Sequence, residues 1–284
     1  MSEQTYDPVR RTARPAGLEI SYLDWGEPTA GSAALILLHG TMGCAADWSR
    51  VAPTFARSYR VVALDQRGHG LSAHPPAPGG YATRDYLDDL EAFADALGAT
   101  QVGLLGHGMG GHNAIAFGAR RPGRVLCALA NDVAPAPPAD SATWEELLPG
   151  RVHPTFASVE DYVTWRRRAV PFAPDALLEE EAGWRLRRRP SGWRADSDTR
   201  AAFDWKPDDL WEEVGGIRCP MLYIRGGRSP DLDAATQQSL VMRTPNGRSI
   251  SLELAGHATY LDREEEFIEL SHAFFAAHMH RAAA

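Results

Sequence analysis

Val102-Gly103-Leu104-Leu105-Gly106-His107-Gly108-Met109-Gly110-Gly111-His112-Asn113 is the stretch that decides the fold of this chain. Val102–Leu105 reads as a short buried strand, Gly106 to Gly111 as a tight turn, and the run beyond it as a helix through Arg121 that Pro122 stops. The same alternation continues in both directions. Upstream lie the apolar runs Ala34–Leu38 and Arg60–Leu64; downstream lie Val125–Ala130, Met221–Arg225 and Ser249–Leu254. Leu18–Trp25 follows a Pro-Ala-Gly turn and reads as a strand with Val9–Ala13 as its hairpin partner. Continuous apolar strands separated by helix-length segments predict an α/β fold, a parallel sheet covered on both faces. Ligands of such sheets bind beyond the carboxyl ends of the strands, so the chemistry is expected there.

Composition bounds the function. At 284 residues and 31.0 kDa, the chain suits one large domain or a core with an insertion. A 44% hydrophobic content excludes a disordered chain. The net charge of −8 argues against nucleic acid as a partner, which demands a positive face. No apolar run approaches the roughly 20 residues that span a bilayer, so no membrane partner is expected. The polar start, residues 1–7, does not read as a secretory signal. Cys44, Cys127 and Cys219 form no CxxC or Cys/His cluster, which predicts a reducing, cytoplasmic setting. The spacing suggests no metal, nucleotide or other cofactor; the expected partner is a small-molecule substrate, with the chain a monomer or homodimer.

Between Val133 and Gly216 the alternation breaks. Prolines cluster at 135–138, and Trp, Arg and Glu dominate helical stretches such as Val159–Ala169 and Asp175–Arg188. The expected division is a core of residues 1–133 and 217–284 with a helical cap over 134–216, roofing a pocket. Its aromatic residues include Phe156, Trp165, Phe172, Trp184 and Trp193. Trp165 and Trp184, with Met42 and His107 of the core, are the candidate substrate contacts. The Arg166–Arg168 and Arg185–Arg189 runs, interleaved with acids, read as solvated faces, and no single arginine stands out as a grip for a substrate carboxylate.

Four motifs follow strands in order: His39-Gly40-Thr41-Met42-Gly43, Asp65-Gln66-Arg67-Gly68-His69-Gly70-Leu71-Ser72, Gly106-His107-Gly108-Met109-Gly110-Gly111, and Gly256-His257-Ala258. A Gly-rich turn frees backbone N–H groups for an anionic oxygen. Together the motifs resemble the α/β-hydrolase superfamily over nearly the whole chain. The resemblance implies a mostly parallel eight-stranded sheet flanked by helices, with a helical cap. It implies His257 as base, oxyanion donors at Thr41 and Met109, and a Gly-x-Ser-x-Gly elbow whose third position bears the nucleophile. Here that position is Gly108, which has no side chain with which to form an acyl or alkyl enzyme. Cys44 reads as a packing residue rather than a substitute. For the acid that orients His257, Asp231 is favoured, after the strand Met221–Arg225; Asp132, after Val125–Ala130, is the alternative.

The expected function is an enzyme that acts on a small, largely apolar molecule, aromatic or polyketide-like, without an acyl-enzyme. His257 and its acid would perform elimination, decarboxylation, cyclisation or water-mediated cleavage against retained oxyanion donors. The alternatives are a serine ester or lactone hydrolase inactivated by a Ser-to-Gly change at 108, and a non-catalytic small-molecule binder.

Overall fold

A computed structural model of the chain describes residues 7–26, 33–137 and 154–279. Residues 1–6 and the part of the inserted segment from 138 to 153 lie outside this description. Eight strands form one sheet: β1 (Val9–Ala13), β2 (Ile20–Asp24), β3 (Ala34–Leu38), β4 (Arg60–Leu64), β5 (Val102–His107), β6 (Val125–Asn131), β9 (Met221–Gly226) and β10 (Gly247–Leu252). Their order is β1-β2-β4-β3-β5-β6-β9-β10. From β4 to β10 every pairing is parallel, whereas β1–β2 and β2–β4 are antiparallel. All eight sequence-predicted strands are present.

The central strands show why the sheet is covered on both sides. Along β3, Leu35 and Leu37 face one apolar layer while Ala34, Ile36 and Leu38 face the other, as period-2 alternation requires. Among the longer helices, α1 (Thr83–Ala96) and α2 (Met109–Arg120) supply Leu87, Leu90, Phe93, Ile115 and Phe117 to the second layer. The C-terminal helix, Glu264–His278, supplies Phe267, Phe274 and Phe275 to the first. The edge strand β1, Val-Arg-Arg-Thr-Ala, is largely exposed, and its arginines suit a strand that must not pair with another chain.

The inserted segment carries α3 (Val159–Arg166) and α4 (Asp175–Arg185). A reciprocal capping box starts α3: Ser158 Oγ accepts from the Asp161 N–H at 3.1 Å and the Asp161 carboxylate accepts from the Ser158 N–H at 3.0 Å. The predicted helix to Arg188 is corrected: α4 ends at Arg185, and β7 (Leu186–Arg189) folds back on β8 (Gly192–Ala195) as an antiparallel ribbon. The turn Pro190-Ser191-Gly192 explains the break. Gly192 sits at φ +130°, and a Cβ there would lie 2.5 Å from the Phe156 carbonyl oxygen. Among the described residues no helix is long and apolar enough to cross a membrane.

Candidate active site

The turn from β5 into α2 sets the site. Gly108 takes φ +51° and ψ −117°, a conformation an L side chain adopts only under strain. The neighbouring glycines are required by contact. A Cβ on Gly106 would lie 2.1 Å from the Gly110 carbonyl oxygen, and one on Gly110 would lie 2.2 Å from that of Leu38. At Gly108 the nearest atom to an added Cβ is His257 Nε2 at 3.5 Å, an ordinary contact. The elbow therefore has room for a side chain at the position that lacks one.

His39 fixes the loop opposite. Its Nε2 accepts from the Gln66 N–H at 2.9 Å, so Nδ1 bears the proton and donates to the Gly40 carbonyl at 2.8 Å. Burial lowers its pKa to about 4, so the ring is neutral at neutral pH. Gln66 also donates from its side chain to the His39 carbonyl at 2.7 Å, and Asn113 of α2 donates to Gln66 at 2.9 Å. This chain of bonds ties the His39–Gly43 loop to the elbow helix.

His257 stands over the elbow. Its Nδ1 lies 2.8 Å from Asp132 Oδ2 and 3.3 Å from Asp231 Oδ2. Asp132 is wholly buried at φ +50°, and its carboxylate also accepts from the Gly226 N–H at 2.8 Å and from the Ser229 hydroxyl. Asp231 is partly exposed, and its N–H donates to Ser229 Oγ at 3.1 Å. Both acids weighed from sequence thus meet one imidazole nitrogen, with Asp132, the less favoured, closer and more deeply held. An ionised partner at Nδ1 selects the Nδ1–H tautomer and leaves a lone pair on Nε2. Sequence reading missed Ser229 and the Gly226 N–H as carboxylate holders, because no local pattern links them to Asp132.

A cavity of about 450 Å³ opens on these groups. Thr41, His107, Gly108, Met109, Trp165, Asp231 and His257 line it. As the first residue of α2, Met109 has a backbone N–H without an intrahelical acceptor. His107 packs its ring 4.4 Å from that of His257 and accepts from Asn131 at 3.1 Å. Of the candidate substrate contacts, Trp165 and His107 line this cavity, whereas Met42 and Trp184 line a smaller neighbouring cleft; Met42 is buried under α4, where its carbonyl accepts from Arg185. Cys44 lines that cleft too, and burial, with Asp47 adding to it, pushes its thiol pKa well up. His112 is buried on the far side of the elbow helix, with Nε2 3.0 Å from the Asp208 carbonyl.

The arginine runs also depart from expectation. Arg166, Arg168 and Arg185 line the cavity, joined by Arg228 of the core. Arg185 is buried and grips Asp47 through two bonds, at 3.0 and 2.7 Å, and also reaches Glu181 at 2.9 Å. Arg166 grips Glu181 at 2.9 and 3.0 Å, and Tyr162 donates to the same carboxylate at 2.9 Å. Burial alone would raise the Glu181 pKa, but Arg166 and Arg185 override it and hold the carboxyl down at about 2. This network joins the inserted segment to the 3₁₀ turn Ala45–Trp48 of the core. The sequence read these residues as solvated because charge alternation carries no depth.

Comparison with known proteins adds the following. Residues 33–166 match the family model for the alpha/beta hydrolase fold. A proline iminopeptidase of Clostridium botulinum is 24% identical, with 86% of this chain and 90% of the relative covered. A putative 2-succinyl-6-hydroxy-2,4-cyclohexadiene-1-carboxylate synthase of Bacillus subtilis is 26% identical, covering 92% and 96% respectively. The crystal structure of an E-2-(acetamidomethylene)succinate hydrolase superposes with a TM-score of 0.83 at 20% identity, over 95% of this chain and 99% of that one.

Proposed function

Because residues 33–166 match the family model for the alpha/beta hydrolase fold and the whole sheet superposes on solved structures of that fold, we propose an enzyme of that fold that dispenses with the covalent step and works through His257 as general base on a small organic molecule. One observation carries this reading. The imidazole of His257 is braced at Nδ1 by buried Asp132, while its Nε2 lies 3.5 Å from the point a Cβ of residue 108 would occupy. Water or a substrate C–H or O–H group at that point delivers its proton to Nε2. Asp132 stabilises the imidazolium that forms, with Asp231 as a second, weaker neighbour. In hydrolysis, the activated water adds to an electrophilic carbon, and the oxyanion takes hydrogen bonds from the N–H groups of Thr41 and Met109. His257 then returns the proton to the leaving group. In elimination, the proton leaves carbon and the β substituent departs with its electron pair. Relatives named as a hydrolase and as a putative synthase support a fold whose use is wider than hydrolysis.

Proton transfer of this kind contributes roughly 10²- to 10⁴-fold. Screening the protein against small esters, lactones and β-substituted acids should therefore find turnover without an initial burst, lowered at least about 100-fold by His257→Ala. Unchanged turnover in that variant would falsify the proposal. A second reading has its own support in the room left at Gly108: a serine hydrolase silenced at that position. A pre-steady-state burst of product from Gly108→Ser, with the Gly108 protein silent on the whole panel, favours it.

A further inference from the structure

We infer that the cavity is built for a carboxylate-bearing substrate, held by Arg168 of the inserted segment and Arg228 of the core. The inference rests on the cavity being the substrate site and names the class of molecule it takes. Four arginines line the cavity, but they are not equivalent. Arg185 is committed to Asp47 and Arg166 to Glu181, both by paired hydrogen bonds. No carboxylate among the described residues lies within ion-pair distance of the Arg168 or Arg228 guanidinium. Two cations lining one cavity repel each other less once an anion binds between them.

Their positions fit a substrate anchor rather than a catalytic group. Arg228 lies on the loop that carries Asp231, its backbone N–H donating to the Ala255 carbonyl at 2.9 Å. Its guanidinium lies over the Phe172 ring, 4.9 Å from the centroid, a cation–π contact that leaves the N–H donors of the fork for another partner. Phe172 in turn packs beside Gly256, next to His257. Arg168 follows α3, so one anion bound by both would join the inserted segment to the core above the elbow. A carboxylate suits the forked donors. A phosphate dianion fits less well, because Asp132 and Asp231 stand at the reacting end of the same cavity.

The test is isothermal titration with matched pairs: phenylacetate, 4-phenylbutyrate and cinnamate, each against its primary amide. The acid of at least one pair should bind about tenfold more tightly than its amide. Arg168→Gln and Arg228→Gln, both exposed positions, should each remove most of that preference, and 0.5 M salt should weaken it. His257→Ala should keep the acid-over-amide ratio. A ratio retained there while turnover survives would defeat the proposed base and leave the anion site standing. Equal affinity for acid and amide, no binding by any acid, or a preference untouched in both arginine variants overturns the anion site. Tighter binding of phenyl phosphate than of every acid overturns the choice of carboxylate.

Discussion

Gly108 and Gly110 stand two residues apart and oppose a side chain for different reasons. A Cβ on Gly110 would lie 2.2 Å from the Leu38 carbonyl oxygen, so Gly110→Ala must displace main chain at the core of the sheet, and urea denaturation should show a loss of about 3 kcal/mol. Gly108→Ala meets nothing closer than 3.5 Å, and only its backbone, at φ +51° and ψ −117°, costs, about 1–3 kcal/mol. The two acids on His257 should separate likewise. Asp132 is closer and wholly buried, at 2.8 Å against 3.3 Å. Asp132→Asn should lower kcat/KM about 100-fold, and Asp231→Asn less than about tenfold. Steady-state kinetics of the two variants, side by side, checks the order. At this scale the sequence was informative wherever a residue is fixed by its own turn. The Gly256-His257 turn and the Gly106–Gly111 elbow are such cases, and His257 does stand over Gly108. Choosing between Asp132 and Asp231 was beyond it, because that depends on how two loops distant in the chain converge on one nitrogen.

Elements were legible to the degree that burial wrote a period into them. β3 and β4 begin and end where their apolar runs do, since a strand buried on both faces has no polar position to blur it. The β7–β8 ribbon was not legible: Leu-Arg-Arg-Arg continues a helical run of charge, and only the contact of Gly192 with Phe156 shows that the chain reverses. The seam between α4 and the core escaped for a related reason. Arg185 looks like a surface residue, yet it is buried and paired with buried Asp47. Removing one partner strands the other charge in a low dielectric, so Arg185→Ala should destabilise by about 3–5 kcal/mol. Urea denaturation measures it. A loss near zero would mean that Asp47 finds water once the arginine is gone. Arg14, which pairs with Glu19 at the exposed edge at 3.1 Å, should cost under about 1 kcal/mol when changed to alanine.

Over the whole molecule, buried ionisable groups set how stability answers to pH, and two opposed sets meet near the elbow. His39 and His69 are buried with pKa values lowered to about 4 and about 3, burial being the main cause. Their unfolded forms bind protons first, so each removes stability as pH falls below the ordinary histidine value near 6.5. Asp262 works the other way. Burial raises its pKa to about 6; Oδ2 accepts from the Gly256 N–H at 2.8 Å, while buried Oδ1 has no hydrogen-bond partner among the described residues. Between the ordinary aspartate value near 4 and that raised value, the folded protein holds a proton the unfolded chain has lost. This group therefore costs stability as pH rises through the interval. Asp262→Asn keeps an acceptor for Gly256 and removes the charge, leaving the histidines as they are. The stability difference, variant minus parent, should be flat below about pH 4, rise by up to about 1.4 kcal/mol per pH unit to about pH 6, and stay level above it. Paired urea titrations from pH 3.5 to 8 isolate the effect, since every other group cancels in the difference. A difference that falls with pH would mean that Asp262 is an ordinary ionised cap on the His257 loop, favoured by the Gly256 N–H rather than disfavoured by burial.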